Sequence, residues 1–143
     1  MHASRQLCTF HVADLYLGID VLSVQEILRA RELARIPLAP DTIEGLLNLR
    51  GQIVTAIDLR RRLGFPRRSA DAESMFMIVR TVDGQVALVV DAVGDVLDSA
   101  ADTFEPPPDT VPDAVRRLIG GVHKLPDRLL HVLDCEQATA LAA

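Results

Sequence analysis

The segment Ile43-Glu44-Gly45-Leu46-Leu47-Asn48-Leu49-Arg50-Gly51-Gln52-Ile53-Val54-Thr55-Ala56-Ile57-Asp58 lies without a gap over Ile119-Gly120-Gly121-Val122-His123-Lys124-Leu125-Pro126-Asp127-Arg128-Leu129-Leu130-His131-Val132-Leu133-Asp134. Ile, Gly, Leu and Asp coincide, and the apolar positions between them match. Self-similarity of this kind constrains the fold more than local propensity does, because both copies must take up one supersecondary unit. In each copy an apolar run reaches a turn, at Arg50-Gly51 or Pro126-Asp127, then a second apolar run, then an Asp placed to start a helix. A shorter match, Leu17-Gly18-Ile19-Asp20 with Leu88-Val89-Val90-Asp91, extends the likeness. The pattern predicts two similar β units, one carrying roughly the first half of the chain and one the second. Neither half is large enough to bury its own apolar face, so residues 1–143 form one domain of two intimately packed subdomains. Strand exchange between the subdomains is left open by the repeat.

Most of the remaining chain alternates apolar and polar residues in short runs separated by turn residues, which is the reading of a mostly β domain. Cys8, Phe10 and Val12 alternate with Thr9 and His11, and Ala13-Asp14 turns the chain into Leu15, Leu17 and Ile19. Met75 to Asp91 reads as a second hairpin, with Phe76, Ile78, Arg80 and Val82 on one face, an Asp83-Gly84 turn, and Val86, Leu88 and Val90 returning. Segments 22–29, 46–50, 52–57, 93–98, 118–125 and 128–133 also read as strands. Helix is confined to short pieces. Asp58 caps 59–63, which Gly64 ends; Asp134 caps a C-terminal helix over 135–141; a further short turn follows Pro40-Asp41. The proline-rich stretch 99–113 cannot enter a sheet interior and reads as a surface connection.

Composition narrows the classes of function. The net charge is −5 and 49% of residues are hydrophobic, which excludes disorder and disfavours nucleic acid as the main partner. Apolar runs stop well short of the roughly 20 residues of a membrane span, and no secretory signal precedes the first strand, so the expectation is a cytoplasmic chain without direct membrane insertion. Cys8 and Cys135 match no metal spacing and read as reduced thiols. Arg60, Arg61, Arg62, Arg67 and Arg68 form the one basic cluster. As a phosphate-gripping patch it supports an alternative reading, a small nucleic-acid-binding β-barrel; base-stacking aromatics are missing beside it, and a solvated helix end is the preferred reading.

No catalytic pattern emerges. The chain has no phosphate-binding glycine loop, no nucleophile elbow, no HExxH, and only one lysine, Lys124. A hydrolase built on His131 is the further alternative, but His131 and Asp134 fall on opposite faces of a strand. The four histidines share no metal-ligand spacing, and no cofactor or metal is expected. Two motifs remain. Pro37 and Pro40 bracket Leu38-Ala39 and predict a fixed extended segment, and Gly51 permits a tight reversal after Asn48-Leu49-Arg50. Arg50 stands where its planar fork can clamp backbone carbonyls or a carboxylate, and it reads equally as a structural clamp or a partner contact. Val24-Gln25-Glu26-Ile27-Leu28 reads as a half-exposed strand whose outward Glu26 suits a protein interface.

Gly18 to Ile27, Ile36 to Pro40, Ile43 to Val54, Ile57-Asp58-Leu59-Arg60 and Val89 to Leu97 together closely resemble the CheW family of chemotaxis coupling proteins, in the right order and across residues 7–141. Thr55 and Leu38 depart from the usual pattern. The resemblance implies two pseudo-repeated five-stranded β-barrels of the Src-homology-3 type sharing a hydrophobic core, with a short C-terminal helix. It implies a non-catalytic adaptor, without cofactor. Such an adaptor joins the cytoplasmic tip of methyl-accepting chemoreceptors to the regulatory domain of a CheA-type histidine kinase in membrane-associated receptor arrays, and supports receptor control of its autophosphorylation. By position, Val24, Glu26, Asn48 and Arg50 fall in or beside the groove that takes the receptor helix, and the exposed apolar edge of one barrel meets the kinase.

Overall fold

The computed structural model describes residues 5–69, 71–99 and 103–140. The first five strands are β1 (Arg5–Val12), β2 (Leu15–Asp20), β3 (Val24–Arg29), β4 (Ile43–Leu49) and β5 (Gln52–Asp58), followed by helix α1 (Leu59–Arg62). Next come β6 (Met75–Thr81), β7 (Gly84–Val90), β8 (Ala92–Ser99) and the short β9 (Phe104–Glu105), then α2 (Asp113–Arg116). The repeat closes the chain with β10 (Ile119–Lys124), β11 (Leu129–Leu133) and α3 (Cys135–Thr139). Sheet order is β3-β6-β7-β5-β4 in one sheet and β8-β1-β2-β11-β10-β9 in the other. The mostly β, two-sheet expectation holds, with the two-residue β9 as a sixth strand at one edge.

The division between the sheets is not the middle of the chain. After the β1–β2 hairpin, the chain crosses at Asp20 and β3 pairs with β6 in the opposite sheet. After the β6–β7 hairpin it crosses back at Asp91, and β8 pairs with β1. Each hairpin therefore gives its following strand to the other sheet, and the two sheets repeat one plan: a donated edge strand, a hairpin, then a parallel junction to the repeated unit.

Hydrogen bonding reproduces the repeat at matched positions. Ile43 pairs with Ile57 and Ile119 with Leu133, and a register shift follows each at Gly45 or Gly121. Asp58 N–H donates to Thr42 O at 2.7 Å and Asp134 N–H to Leu118 O at 2.8 Å. Each Asp carboxylate then caps its helix, accepting from Arg60 N–H at 3.0 Å and from Gln137 N–H at 3.2 Å. Both glycines exist for a close approach. A Cβ on Gly45 would meet Ala34 O at 2.7 Å, and one on Gly121 would meet Glu105 O at 2.5 Å, because a crossing segment bridges Leu46 in one sheet and Val122 in the other.

Three clusters make the interior. The largest takes Cys8, Phe10, Val12, Leu17 and Ile19 from one sheet and Ile57, Met77, Val79, Leu88 and Val90 from the other, sealed by Val115 and Leu118 beside α2 and Ala138 of α3. A second fills the first-listed sheet with Leu47, Val54, Phe76, Ile78 and Val89, and a smaller one holds Leu7, Tyr16 and Leu130. Strands β6 and β7 are thus buried on both faces, which explains their unbroken apolar runs at 76–79 and 86–90.

Several local expectations change. The β6–β7 loop is Val82-Asp83, and Gly84 (φ 125°) opens the return strand; Thr81 Oγ1 accepts Asp83 N–H at 3.2 Å and sets the turn one residue early. Pro37 to Ala39 is not extended: Ala39 N–H donates to Ile36 O at 3.3 Å, and Leu38 sits at φ 62°. With Pro37 second and Leu38 third, this is the geometry of a type II turn. Pro40 begins a hydrogen-bonded turn through Ile43 N–H and no helix. Helix α3 ends at Thr139, and the expected last residue, 141, lies outside the described residues, as do Met1–Ser4 and residues 100–102 of the proline-rich connection.

The crossing at Asp91 is tied from three directions. Its carboxylate accepts from Ala13 N–H at 2.7 Å, from Arg60 Nη2 at 2.8 Å and from Arg68 Nη2 at 3.1 Å. Burial pushes the carboxyl upward, but the Arg60 hydrogen bonds, the Ala13 N–H and Arg68 outweigh it and hold Asp91 below the ordinary carboxylate range. A group so depressed adds stability above its unfolded-state pKa, about 3.9, and loses it as pH falls through the folded value. Asp91→Asn is therefore expected to lower urea stability at pH 7 by about 2 kcal/mol, with the gap to wild type closing toward pH 2–3. Gly45→Ala and Gly121→Ala are each expected to cost about 1–3 kcal/mol in the same measurement, since backbone must move in both.

Candidate functional site

The β4–β5 hairpin reverses through Arg50 (φ 52°) and Gly51 (φ 85°), the two positive φ values of a type I′ turn. Asn48 supports it, its Oδ1 accepting Gly51 N–H at 3.0 Å, while Asn48 O accepts from Arg31 Nη2 at 3.2 Å. From this turn Arg50 reaches across to Glu26 on β3 and forms an ion pair. β3 and β4 are the two edges of their sheet, so the pair, with the Ala34–Leu46 bridge, closes the sheet into a barrel.

Three of the four residues singled out in the sequence, Glu26, Asn48 and Arg50, meet at this barrel rim. Val24 does not: it packs against the shared core. Glu26 is also not the outward residue of its strand. Val24, Glu26 and Leu28 are half-buried, and Gln25, Ile27 and Arg29 are exposed, so unbroken alternation of burial along the strand puts Glu26 on the same side as Val24 and Leu28. Arg50 is the open member of the pair, its side chain 71% exposed. The carboxylate option for its fork is the one realised.

Sequence reasoning missed the apolar residues around this rim. Ile53, opposite Asn48 on β5, is 64% exposed, and Ile27 and Leu22 are exposed as well. Ile27 was detectable as the residue that breaks alternation before Leu28; Ile53, next to the buried Val54, was not. A separate cleft of about 590 Å³ opens where the barrels meet, between Arg29, Ala30 and Met75 on one side and Asp91, Ala92 and Val93 on the other. None of the four predicted residues lines it; Arg29 enters it from the far end of β3.

The arginine cluster has a different role from either sequence reading. Arg60 and Arg68 hold Asp91, Arg68 also approaches Glu44 and Asp58, Arg67 pairs with Glu44, and Arg61 pairs with Asp41 at 2.5 Å. Arg62 donates to Gln137 O and Ala138 O at the end of α3. The Arg68 side chain is only 10% exposed. These guanidiniums bind the chain to itself, so the solvated helix end is not what they form, and the phosphate-gripping patch finds no support.

No catalytic set converges among the described residues. His131 is buried with Nδ1 2.9 Å from Tyr16 O, and the Asp134 carboxylate is occupied as a helix cap. His123 Nδ1 lies 2.8 Å from Thr103 Oγ1, and burial, followed by the Arg5 charge, pushes its pKa down. Cys8 and Cys135 are free thiols. Burial raises Cys8, and burial with Glu136 and Asp134 pushes Cys135 up to about 11, so neither is activated as a nucleophile. No group of metal-ligating residues occurs among those described, and no described helix is long and apolar enough to cross a membrane.

Fold and site together define a two-barrel β scaffold in which no catalytic set converges among the described residues. The CheW-like domain family matches residues 6–142, and the chain belongs to that family. It is 33% identical to the chemotaxis protein CheW of Klebsiella aerogenes, over 93% of this chain and 80% of that protein. The chemotaxis protein CheW of Treponema pallidum is 31% identical over 90% of this chain and 78% of its own length. The crystal structure of the scaffolding protein TtCheW from Thermoanaerobacter tengcongensis superposes with a TM-score of 0.82 at 30% identity, covering 92% of this chain and 90% of that one. The chain is accordingly a non-catalytic adaptor of chemotaxis signalling, of a family that works with chemoreceptors and the kinase CheA.

An exposed ion pair contributes little to stability. Arg50→Ala is expected to change thermal stability by less than about 1 kcal/mol, measured by thermal melting. A larger loss would make Arg50 chiefly a structural clamp.

Proposed function

We propose that this chain couples the cytoplasmic tip of methyl-accepting chemoreceptors to the regulatory domain of a CheA-type histidine kinase, holding the two on separate surfaces of the double barrel. The observation that carries this reading is the Glu26–Arg50 pair at a rim where Arg50 is open to solvent and Ile27 and Ile53 are exposed. Apolar side chains supply contact area to an amphipathic helix, and the charged pair sets its orientation and on-rate. Asn48 fixes the turn that presents Arg50, and Val24 anchors the strand that presents Glu26. The kinase meets an exposed apolar barrel edge. In this role the chain acts in the cytoplasm and is recruited to membrane-associated receptor arrays.

Reconstitution with the cognate kinase and receptor fragments tests this directly. A ternary complex and receptor-dependent autophosphorylation are expected, with Glu26→Ala and Arg50→Ala each lowering activation several-fold while the melting temperature stays near wild type. Full coupling by both variants removes these residues from the site, and failure of the wild-type chain to assemble overturns the reading itself.

A further inference from the structure

The loop between β3 and β4 carries a second surface, next to the Glu26–Arg50 rim, which it touches through the Arg31–Asn48 hydrogen bond. Arg29, at the end of β3, and Arg31 and Arg35 in the loop are all exposed; of the two exposed carboxylates in the loop, Asp41 is paired with Arg61 and Glu32 has no ion pair among the described residues. Among the described residues none of the three has an ion pair, and Arg31 donates only to the carbonyl of Asn48. This contrasts with Arg60, Arg61, Arg67 and Arg68, all of which have carboxylate partners in a chain whose net charge is −5. Open guanidiniums on an acidic protein mark a place where the electrostatic sign is locally reversed.

Beneath the arginines lies a cavity of about 360 Å³. Leu33, Arg31, Glu32 and Arg35 line it, over Phe76 and Val89, which are themselves fully buried. Glu44 also lines it, but that carboxylate is already shared between Arg67 and Arg68. Further along the loop, the Pro37-Leu38 turn projects Leu38 fully into solvent, at 105% relative exposure, with Ile36 also exposed. Leucine at φ 62° is an uncommon and strained choice for a position that suits glycine or asparagine. A strained backbone that displays an apolar side chain to water adds nothing to the stability of the free chain.

The geometry points to this loop as a docking site for an acidic protein segment bearing an apolar residue: its carboxylates pair with Arg31 and Arg35, and its apolar residue packs on the exposed Leu38 and Ile36. Charge complementarity selects the partner. A basic or neutral segment of the same shape would leave the guanidiniums unpaired and desolvated, which penalises it. The inference does not depend on the role assigned to Glu26 and Arg50.

The probe is an acetylated peptide of alternating glutamate and leucine, titrated into the full chain at about 50 mM salt and followed by amide NMR. Saturable shifts are expected in residues 29–38, weakening with added salt, and absent with the matching lysine–leucine peptide. Arg31→Glu/Arg35→Glu should weaken binding at least about tenfold with the dispersed spectrum retained. Leu38→Asn should raise the melting temperature and weaken the peptide together, a divergence that a purely structural turn would not give. Shifts located elsewhere, equal binding of the lysine peptide, or indifference to charge reversal overturns the proposal. Because no kinase or receptor enters this titration, its failure is separate from a failure of ternary assembly.

Discussion

Burial of the apolar surface between the two sheets is the interaction on which everything else rests. Phe10 and Leu17 from one sheet and Met77, Val79, Leu88 and Val90 from the other are all fully removed from water in one cluster. At about 25 cal/mol per Å² of apolar surface, no hydrogen bond or ion pair in the molecule approaches that collective contribution. The double exchange of β3 and β8 ties the two sheets together, since each sheet without its donated strand would expose an unpaired edge. The rim at Arg50 and the loop at Leu38 are placed by β-strands that this core holds rigid.

The repeat was legible because its physics is local. Gly45 and Gly121, Asp58 and Asp134, and the paired apolar runs each answer a constraint imposed within a few residues: a close backbone crossing, a helix cap, a buried face. The exchange of strands was not legible, because β3 and β8 carry the same alternating pattern whichever sheet receives them. Their destinations depend on pairing with β6 and β1, far away in sequence. The same distinction runs through the site. Turn chemistry announced Arg50 and Gly51, whereas which of the neighbours Glu26 and Ile27 faces inward is decided by how β3 packs in its sheet beside β6, far away in sequence. Leu38 misled for a related reason: proline on both sides is compatible with an extended segment and with a type II turn, and the choice was made by one backbone hydrogen bond.

Charge is partitioned in the same economical way. The arginines at 60, 61, 67 and 68 are spent on joining α1 and its following loop to β4, to the β7–β8 crossing and to the 41–44 segment, which turns a basic stretch of sequence into internal mortar. What remains for the outside is acidic on average, with basic groups left open only at a few positions. A protein whose work is to hold other proteins gains from this, since a diffuse positive surface would attract nucleic acid and other polyanions indiscriminately.

The crossing strands also dictate an order of events during synthesis. The β1–β2 hairpin is made before β3 to β7, yet its neighbours are β8 and β11, so it has no third strand to join until β8 has emerged. The sheet of β3 to β7 can pair within itself much earlier, and its β6–β7 hairpin offers the apolar face against which Phe10 and Leu17 come to rest. Contacts this distant in sequence make for slow closure and leave an unpaired hairpin waiting in the meantime. The vulnerable interval of the nascent chain therefore falls on the β1–β2 hairpin, and completion of β11 is the step that covers its second edge.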